Sequence, residues 1–176
     1  MNARDISYNA VMERKNEIMK SSLGLDYDDF IQSPIAFYYE KMMSATGYSM
    51  DDIIRIQRES KVGNTPLYVL QNLSEAVRAI SPAGKGATIL LKDEAANASG
   101  SFKARRASIS AYEAKNKGYE GLIAATSGNY GAAVASQAVQ RKLKCIILQE
   151  VYDSRGVGQP EIIEKGRACE AYGAEV

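Results

Sequence analysis

Hydrophobic and polar positions follow two rhythms along the 176 residues. Up to about residue 60 the spacing is helical. Tyr8, Val11, Met12, Ile18 and Met19 recur at intervals near one helical turn and predict helix there. Ser33-Pro34 offers an N-cap and a proline at the first helical position, with Gly47 as the stop. Ser49 and Asp52 have the spacing of a capping box for a helix over 51–60, with Asp in place of the usual longer acid or amide. From Gly63 the rhythm alternates. Residues 67–70, 88–92, 122–125 and 145–149 read as short strands, and 73–80, 102–117, 130–141 and 160–172 as helices. Gly118 and Gly173 close two of those helices, and 174–176 opens one more strand. Short apolar strands alternating with helices predict βαβ units and a parallel sheet. Because the chain stops as that last strand opens, it is expected to be one piece of a longer protein.

Charge and cysteine content narrow the classes open to such a fold. With 22 basic and 21 acidic residues the net charge is +1, so no electrostatic footprint points to nucleic acid or to a membrane surface. Cys145 and Cys169 lie far apart without CxxC spacing, which argues against a zinc site or a disulfide scaffold and suits a reducing cytoplasm. No apolar run is long enough to span a bilayer, and the N-terminus lacks the apolar core of a secretion signal. The expectation is a soluble cytoplasmic protein. The sequence contains 0 histidines, which excludes Ser-His-Asp and Cys-His machinery within it and removes the commonest metal ligand. Catalysis here must rest on lysine, carboxylates, hydroxyls or a cofactor.

In open α/β sheets, sites form where the carboxyl ends of strands lead into helix N-termini. Two such loops are polar and rich in small residues: Lys92-Asp-Glu-Ala-Ala-Asn-Ala-Ser-Gly-Ser-Phe-Lys103 and Ala125-Thr-Ser-Gly-Asn-Tyr-Gly131. In the second, the hydroxyls of Thr126 and Ser127, the backbone around Gly128 and Asn129 and the helix dipole suit an anion such as a carboxylate or phosphate. A tight turn whose glycines serve geometry alone is the plainer alternative. Neither GxGxxG nor GK[ST] is present, so a nucleotide-binding reading ranks low. A lysine on a helix is usually a solvated charge, but Lys103 opens its helix, where a positive side chain gains nothing from the dipole; held among apolar neighbours it would serve as an amine nucleophile.

Taken together the loops resemble those of the fold-type II pyridoxal-phosphate (PLP) enzymes, the family of threonine synthase, threonine dehydratase, cysteine synthase and the tryptophan synthase β subunit. Asn97-Ala-Ser-Gly-Ser-Phe-Lys103 is similar to the family's N-P-T-G-S-F-K, Ser127-Gly128-Asn129-Tyr-Gly131 to S-G-N-x-G, and Gly63-Asn-Thr-Pro-Leu67 to G-x-T-P-L. The resemblance implies a three-layer parallel-sheet βαβ fold, incomplete here, with a helical N-terminal extension over 1–60 and the first part of the catalytic fold over 61–176. It implies PLP bound covalently to Lys103, Asn129 hydrogen-bonded to the cofactor's 3′-oxygen, and substrate carboxylate held by Thr126, Ser127, Gly128 and Asn129. It also places the phosphate cradle and the partner of the pyridine nitrogen after Val176, so that this stretch alone is expected to be inactive. The chain departs from the pattern at Ala98-Ser99, and at Ala104, where an acid is usual, followed by Arg105-Arg106.

The helical preface, Ser-Phe-Lys-Ala-Arg-Arg and Gln149-Glu-Val-Tyr-Asp-Ser-Arg-Gly-Val-Gly-Gln-Pro160 carry a narrower resemblance, to the β subunits of the thiolases of ornithine fermentation that split 2-amino-4-oxopentanoate with coenzyme A. That implies an amino-acid substrate, coenzyme A, a small α subunit and a homo-oligomer, with acetyl-CoA and alanine as products. A β-elimination or β-replacement enzyme, and a non-catalytic subunit-interaction module, are the competing readings. Cys145 and Cys169 read as core rather than nucleophiles. Tyr130 reads either as a substrate contact or as packing. Asp93 and Glu94 either hold their loop or are solvated, and Arg105 and Arg106 either meet an anionic substrate or cofactor or, by default, form a solvated helix face.

Overall fold

A computed structural model describes residues 7–33 and 36–176. The chain forms two compact units, Met1–Ile53 and Ile54–Val176.

In the first unit the expected single helix is two short ones, α1 (Tyr8–Glu13) and α2 (Lys15–Leu23), broken where Arg14 leaves helical backbone. Gly24 closes α2 in the left-handed conformation that favours glycine. The stretch expected to be helix from Ser33 starts differently. Ser33 ends β1 (Ile31–Ser33), which pairs antiparallel with β2 (Ala36–Phe37), and the helix α3 (Tyr39–Ala45) follows; Pro34 lies outside the described residues. The physical reason is aromatic packing. Phe37 sits with its ring centroid 5.1 Å from Tyr27, 6.1 Å from Phe30 and 5.0 Å from Tyr39, and Phe30 is buried. Such contacts outweigh a local capping signal. The capping box does form: Asp52 N–H donates to Ser49 Oγ at 3.1 Å, and Ser49 N–H donates to Asp52 Oδ2 at 3.0 Å, opening α4 (Met50–Glu59).

The second unit is α/β, and its centre is parallel. β5 (Gly121–Thr126) pairs with β6 (Lys144–Gln149) in register from Gly121 with Lys144 to Thr126 with Gln149, and Glu175 bridges Ile146 in parallel as the start of a third strand. The crossover between β5 and β6 is α7 (Asn129–Gln140), and α8 (Pro160–Ala171) follows β6. One face of this sheet is covered. Cys145 and Ile147 of β6 and Ala124 of β5 are buried against the helices, whereas Ile123, Ile146 and Leu148 point to the bare face. α7 is buried without interruption from Gly131 to Ala138, and α6 (Lys103–Asn116) packs on it through Ala107, Ala111 and Ala114. Small residues on both helices allow that close approach.

One strand pair corrects the expectation of a purely parallel sheet. β3 (Leu67–Val69) and β4 (Leu90–Lys92) pair antiparallel, joined through α5 (Gln71–Ile80), with Leu67 opposite Lys92. A short apolar run marks a strand but not its direction, which the connection decides. Here Ser74 of α5 accepts from Ile89 N–H at 2.8 Å and donates to Leu70 C=O at 2.8 Å, so the helix folds back along the ribbon.

Candidate active site

The β5–α7 turn is built from Thr126 outward. Gly128 N–H donates to Thr126 Oγ1 at 3.0 Å, and Gly131 N–H donates to Gly128 C=O at 3.1 Å. α7 then begins at Asn129 with no side-chain cap and no acidic residue in its first turn, so its leading N–H groups and the positive end of its dipole face outward. Ser127 and Asn129 are exposed and Thr126 is half-buried. A cleft of about 420 Å³ opens beside them, lined by Ala125, Thr126 and Ser127 at the end of β5 and Leu148, Gln149 and Glu150 at the end of β6. It lies at the carboxyl edge of the parallel pair. Lys103 and Asn129 are not part of its lining.

Lys103 is the first residue of α6, and its N–H donates to Ser101 Oγ at 3.3 Å. Its Nζ stands over the ring of Phe102, 4.5 Å from the centroid, and no carboxylate pairs with it among the described residues. The hydroxyl of Ser99, in the same loop, is buried without a partner among the described residues. The two candidate loops meet through their helices, since the Arg106 guanidinium lies 5.0 Å from the Tyr130 ring centroid. Tyr130 packs at the helix starts and against the core.

A cluster of polar side chains, not foreseen as a unit, ties the Gly63–Leu67 motif to the loop that carries Lys103. The Glu94 carboxylate accepts from Thr65 Oγ1 (2.7 Å), Asn97 Nδ2 (3.0 Å), Arg105 Nε (2.7 Å) and Arg105 Nη2 (2.7 Å). Asn97 in turn accepts from Gly63 N–H at 2.9 Å. Lys92 donates to the carbonyl of Thr65. Glu94 thus holds its loop, and Arg105 is paired rather than solvated, because the turn carrying Thr65 folds onto the start of α6. The Arg105 hydrogen bond pulls the Glu94 carboxyl down from 4.5 to about 2, with burial opposing and Thr65 and Asn97 assisting. Asp93 only caps its own turn, accepting from Ala95 N–H at 3.1 Å.

Both cysteines are core residues. Cys145 is buried on β6 and Cys169 is fully buried on α8. Burial pushes the Cys145 thiol up to about 11 and raises that of Cys169 as well. Neither is an activated nucleophile.

A profile of the pyridoxal-phosphate dependent enzymes matches residues 59–176. The chain belongs to that family. It is 64% identical over 174 residues to a 2-amino-4-ketopentanoate thiolase beta subunit from an unknown prokaryotic organism, and 59% identical over 174 residues to that of Acetoanaerobium sticklandii. Each match covers 99% of this chain and 37% of the relative, so the chain spans well under half the length of either. Among solved structures, a pyridoxal 5′-phosphate-dependent aspartate racemase superposes with a TM-score of 0.54 at 28% identity, covering 73% of this chain and 36% of the racemase. The family is PLP-dependent, so the cofactor expected from the motifs is the family's own. Among the described residues no helix is long and apolar enough to cross a membrane.

Proposed function

We propose that this chain is the first part of the β subunit of a PLP-dependent thiolase that cleaves 2-amino-4-oxopentanoate with coenzyme A, yielding acetyl-CoA and alanine in ornithine degradation in the cytoplasm. The observation that carries the reading is the 64% identity over 174 residues to a thiolase β subunit, which runs through the helical preface as well as the family region. Residues 1–60 are then an extension and 61–176 the opening of the catalytic fold. A small α subunit is the partner, and a homo-oligomer the assembly. The bare apolar face of Ile123, Ile146 and Leu148 supports a three-layer arrangement in the whole protein, with a further helical layer covering it.

The residues present fit PLP. Lys103 offers a primary amine unpaired by any carboxylate among the described residues, and Ser99 offers an orphaned buried hydroxyl in the same loop. In this reading Lys103 holds the cofactor, Asn129 hydrogen-bonds it, and Thr126, Ser127, Gly128 and Asn129 bind the substrate carboxylate at the uncapped start of α7. Bound PLP supplies an electron sink for charge developing on the amino-acid skeleton. With PLP bound, Lys103 Nζ would be placed to carry a proton at the substrate α-carbon. The thiol sulfur of coenzyme A adds to the C4 carbonyl, the C3–C4 bond breaks, C4 leaves as acetyl-CoA, and C3 takes a proton to become the methyl of alanine. This route requires no enzymic cysteine, in keeping with the burial of Cys145 and Cys169.

The test is borohydride reduction of the full-length protein with PLP, followed by peptide mapping beside Lys103→Ala. Incubation with 2-amino-4-oxopentanoate and coenzyme A then follows. A pyridoxyl adduct on Lys103 and release of acetyl-CoA with alanine are expected. An adduct elsewhere overturns the site assignment, and ammonia release without consumption of coenzyme A overturns the thiolase reading in favour of elimination.

A further inference from the structure

One carboxylate holds both ends of the loop that carries Lys103. Glu94 Oε2 accepts from Asn97 Nδ2 and Arg105 Nε, and Oε1 accepts from Thr65 Oγ1 and Arg105 Nη2, so each oxygen receives two donors. Asn97 and Arg105 bracket the stretch in which Lys103 lies. Neither end is otherwise loose. Asn97 also donates to the Glu94 carbonyl at 2.9 Å and accepts from Gly63 N–H, and Arg105 Nη1 donates to Gln57 Oε1 at 3.2 Å. Asn97 is buried and the Glu94 side chain is 21% exposed, so the pairing is partly shielded from water.

Within the bracket the tethers are few. Gly100 N–H donates to Asn97 C=O at 2.7 Å in a turn with φ of +74°, and Tyr172 Oη donates to Ala98 C=O at 3.0 Å. In the first turn of α6 Lys103 N–H donates to Ser101 Oγ at 3.3 Å, and Arg105, two residues beyond Lys103, is bound to Glu94. Residues two apart on a helix point to different sides. Arg105 therefore grips the helix start from one side while Lys103 projects from another, its Nζ against Phe102. Glu94 acts on Lys103 only through the backbone.

The geometry points to Glu94 as a positioning residue: through Arg105 and Asn97 it fixes the backbone from which Lys103 reaches, and with it the seating of PLP. This rests on the reading of Lys103 as the cofactor lysine. It gives the departure at Ala104 a context, because the ionic partner of this helix start is Arg105 bound to Glu94, with no acid next to the lysine.

The experiment uses the full-length protein and the variants Glu94→Gln, Arg105→Lys and Thr65→Val, the last keeping every charge. Two quantities are read: amide hydrogen exchange of residues 98–104 without cofactor, and PLP affinity with the position of the visible band. Glu94→Gln is expected to exchange about ten-fold faster or more in that loop while the β5–β6 amides stay protected. It is also expected to bind PLP more weakly with a shifted band and to lower kcat more than it changes KM. Arg105→Lys and Thr65→Val follow in the same direction to smaller degrees, and they decide the matter if Glu94→Gln does not fold. Unchanged loop exchange in folded variants, or uniform loss of protection across the unit, overturns the inference. Faster loop exchange with unchanged PLP affinity and band overturns it too, leaving Glu94 a structural clasp. Failure of the cofactor reading is seen separately, as a pyridoxyl adduct away from Lys103 in the wild-type protein.

Discussion

Gly131 lies so close to Thr126 that a β-carbon on the glycine would stand 2.6 Å from the threonine Cγ2. The same carbon would be 3.0 Å from Ile147 Cγ2 and 3.3 Å from Cys169 Sγ. The start of α7 thus rests directly on the end of β5, and Thr126, wedged beneath it, receives the Gly128 N–H that shapes the candidate anion turn. Gly131→Ala is expected to destabilise the chain by roughly 1–3 kcal/mol through overpacking. Gly166→Ala is the control. Its β-carbon meets the terminal Oε1 of Gln149 at 2.6 Å, a flexible group that can turn away, and alanine favours helix. Its expected change is under about 1 kcal/mol in either direction. Urea unfolding of the two variants checks the contrast, and equal costs would refute the close-approach argument.

Glu94 makes stability depend on acid pH. Its folded value is depressed from 4.5 to about 2, chiefly by the hydrogen bond from Arg105. A depressed carboxyl stabilises fully above its unfolded value, and the contribution is lost as pH falls through the folded one. The wild type should therefore lose stability relative to Glu94→Gln as pH drops from 4.5 toward about 2. At neutral pH the substitution should cost roughly 2 kcal/mol, the scale of charge-assisted hydrogen bonds. Denaturation series at several pH values read both, and a pH-independent difference would show that Glu94 does not titrate as described.

Neither thiol should react in the folded protein. Native protein at pH 8 is expected to resist a disulfide reagent, and to yield both thiols once unfolded. In the full-length enzyme, Cys145→Ala and Cys169→Ala should each lose stability by about 1 kcal/mol or more from the packing vacated, with coenzyme A-dependent turnover retained. Loss of turnover in a folded variant would bring a cysteine into the chemistry.

The capping box offers a local test. Ser49→Ala removes the acceptor of Asp52 N–H, and about 1 kcal/mol of helix stability should go with it. Circular dichroism during thermal unfolding of the variant would register the change.

Legibility followed the range of the interactions. Strands and helices after residue 63 are close to where the short apolar runs and the helical spacing put them, because both are local features of the chain. Gly118 and Gly173, with φ of +76° and +86°, end helices in the left-handed backbone that glycine adopts most readily. The capping box at Ser49 is local chemistry and formed as read. Ser33 went the other way, into β1, because Phe37, Tyr27 and Tyr39 found each other across the chain. The antiparallel sense of β3 and β4 was likewise invisible, since a short apolar run carries no direction.

The sequence by itself determined the alternation of strands and helices, the three motifs that mark a PLP enzyme, and the lysine and asparagine on which the proposed site turns. Only the tertiary structure decided what Glu94 and Arg105 are for. Thr65, Glu94 and Arg105 lie on segments far apart along the chain, and a carboxylate becomes a four-donor acceptor only when folding brings those donors within 2.7–3.0 Å of it. Residue type states what a side chain can bond; the fold settles which partner is there.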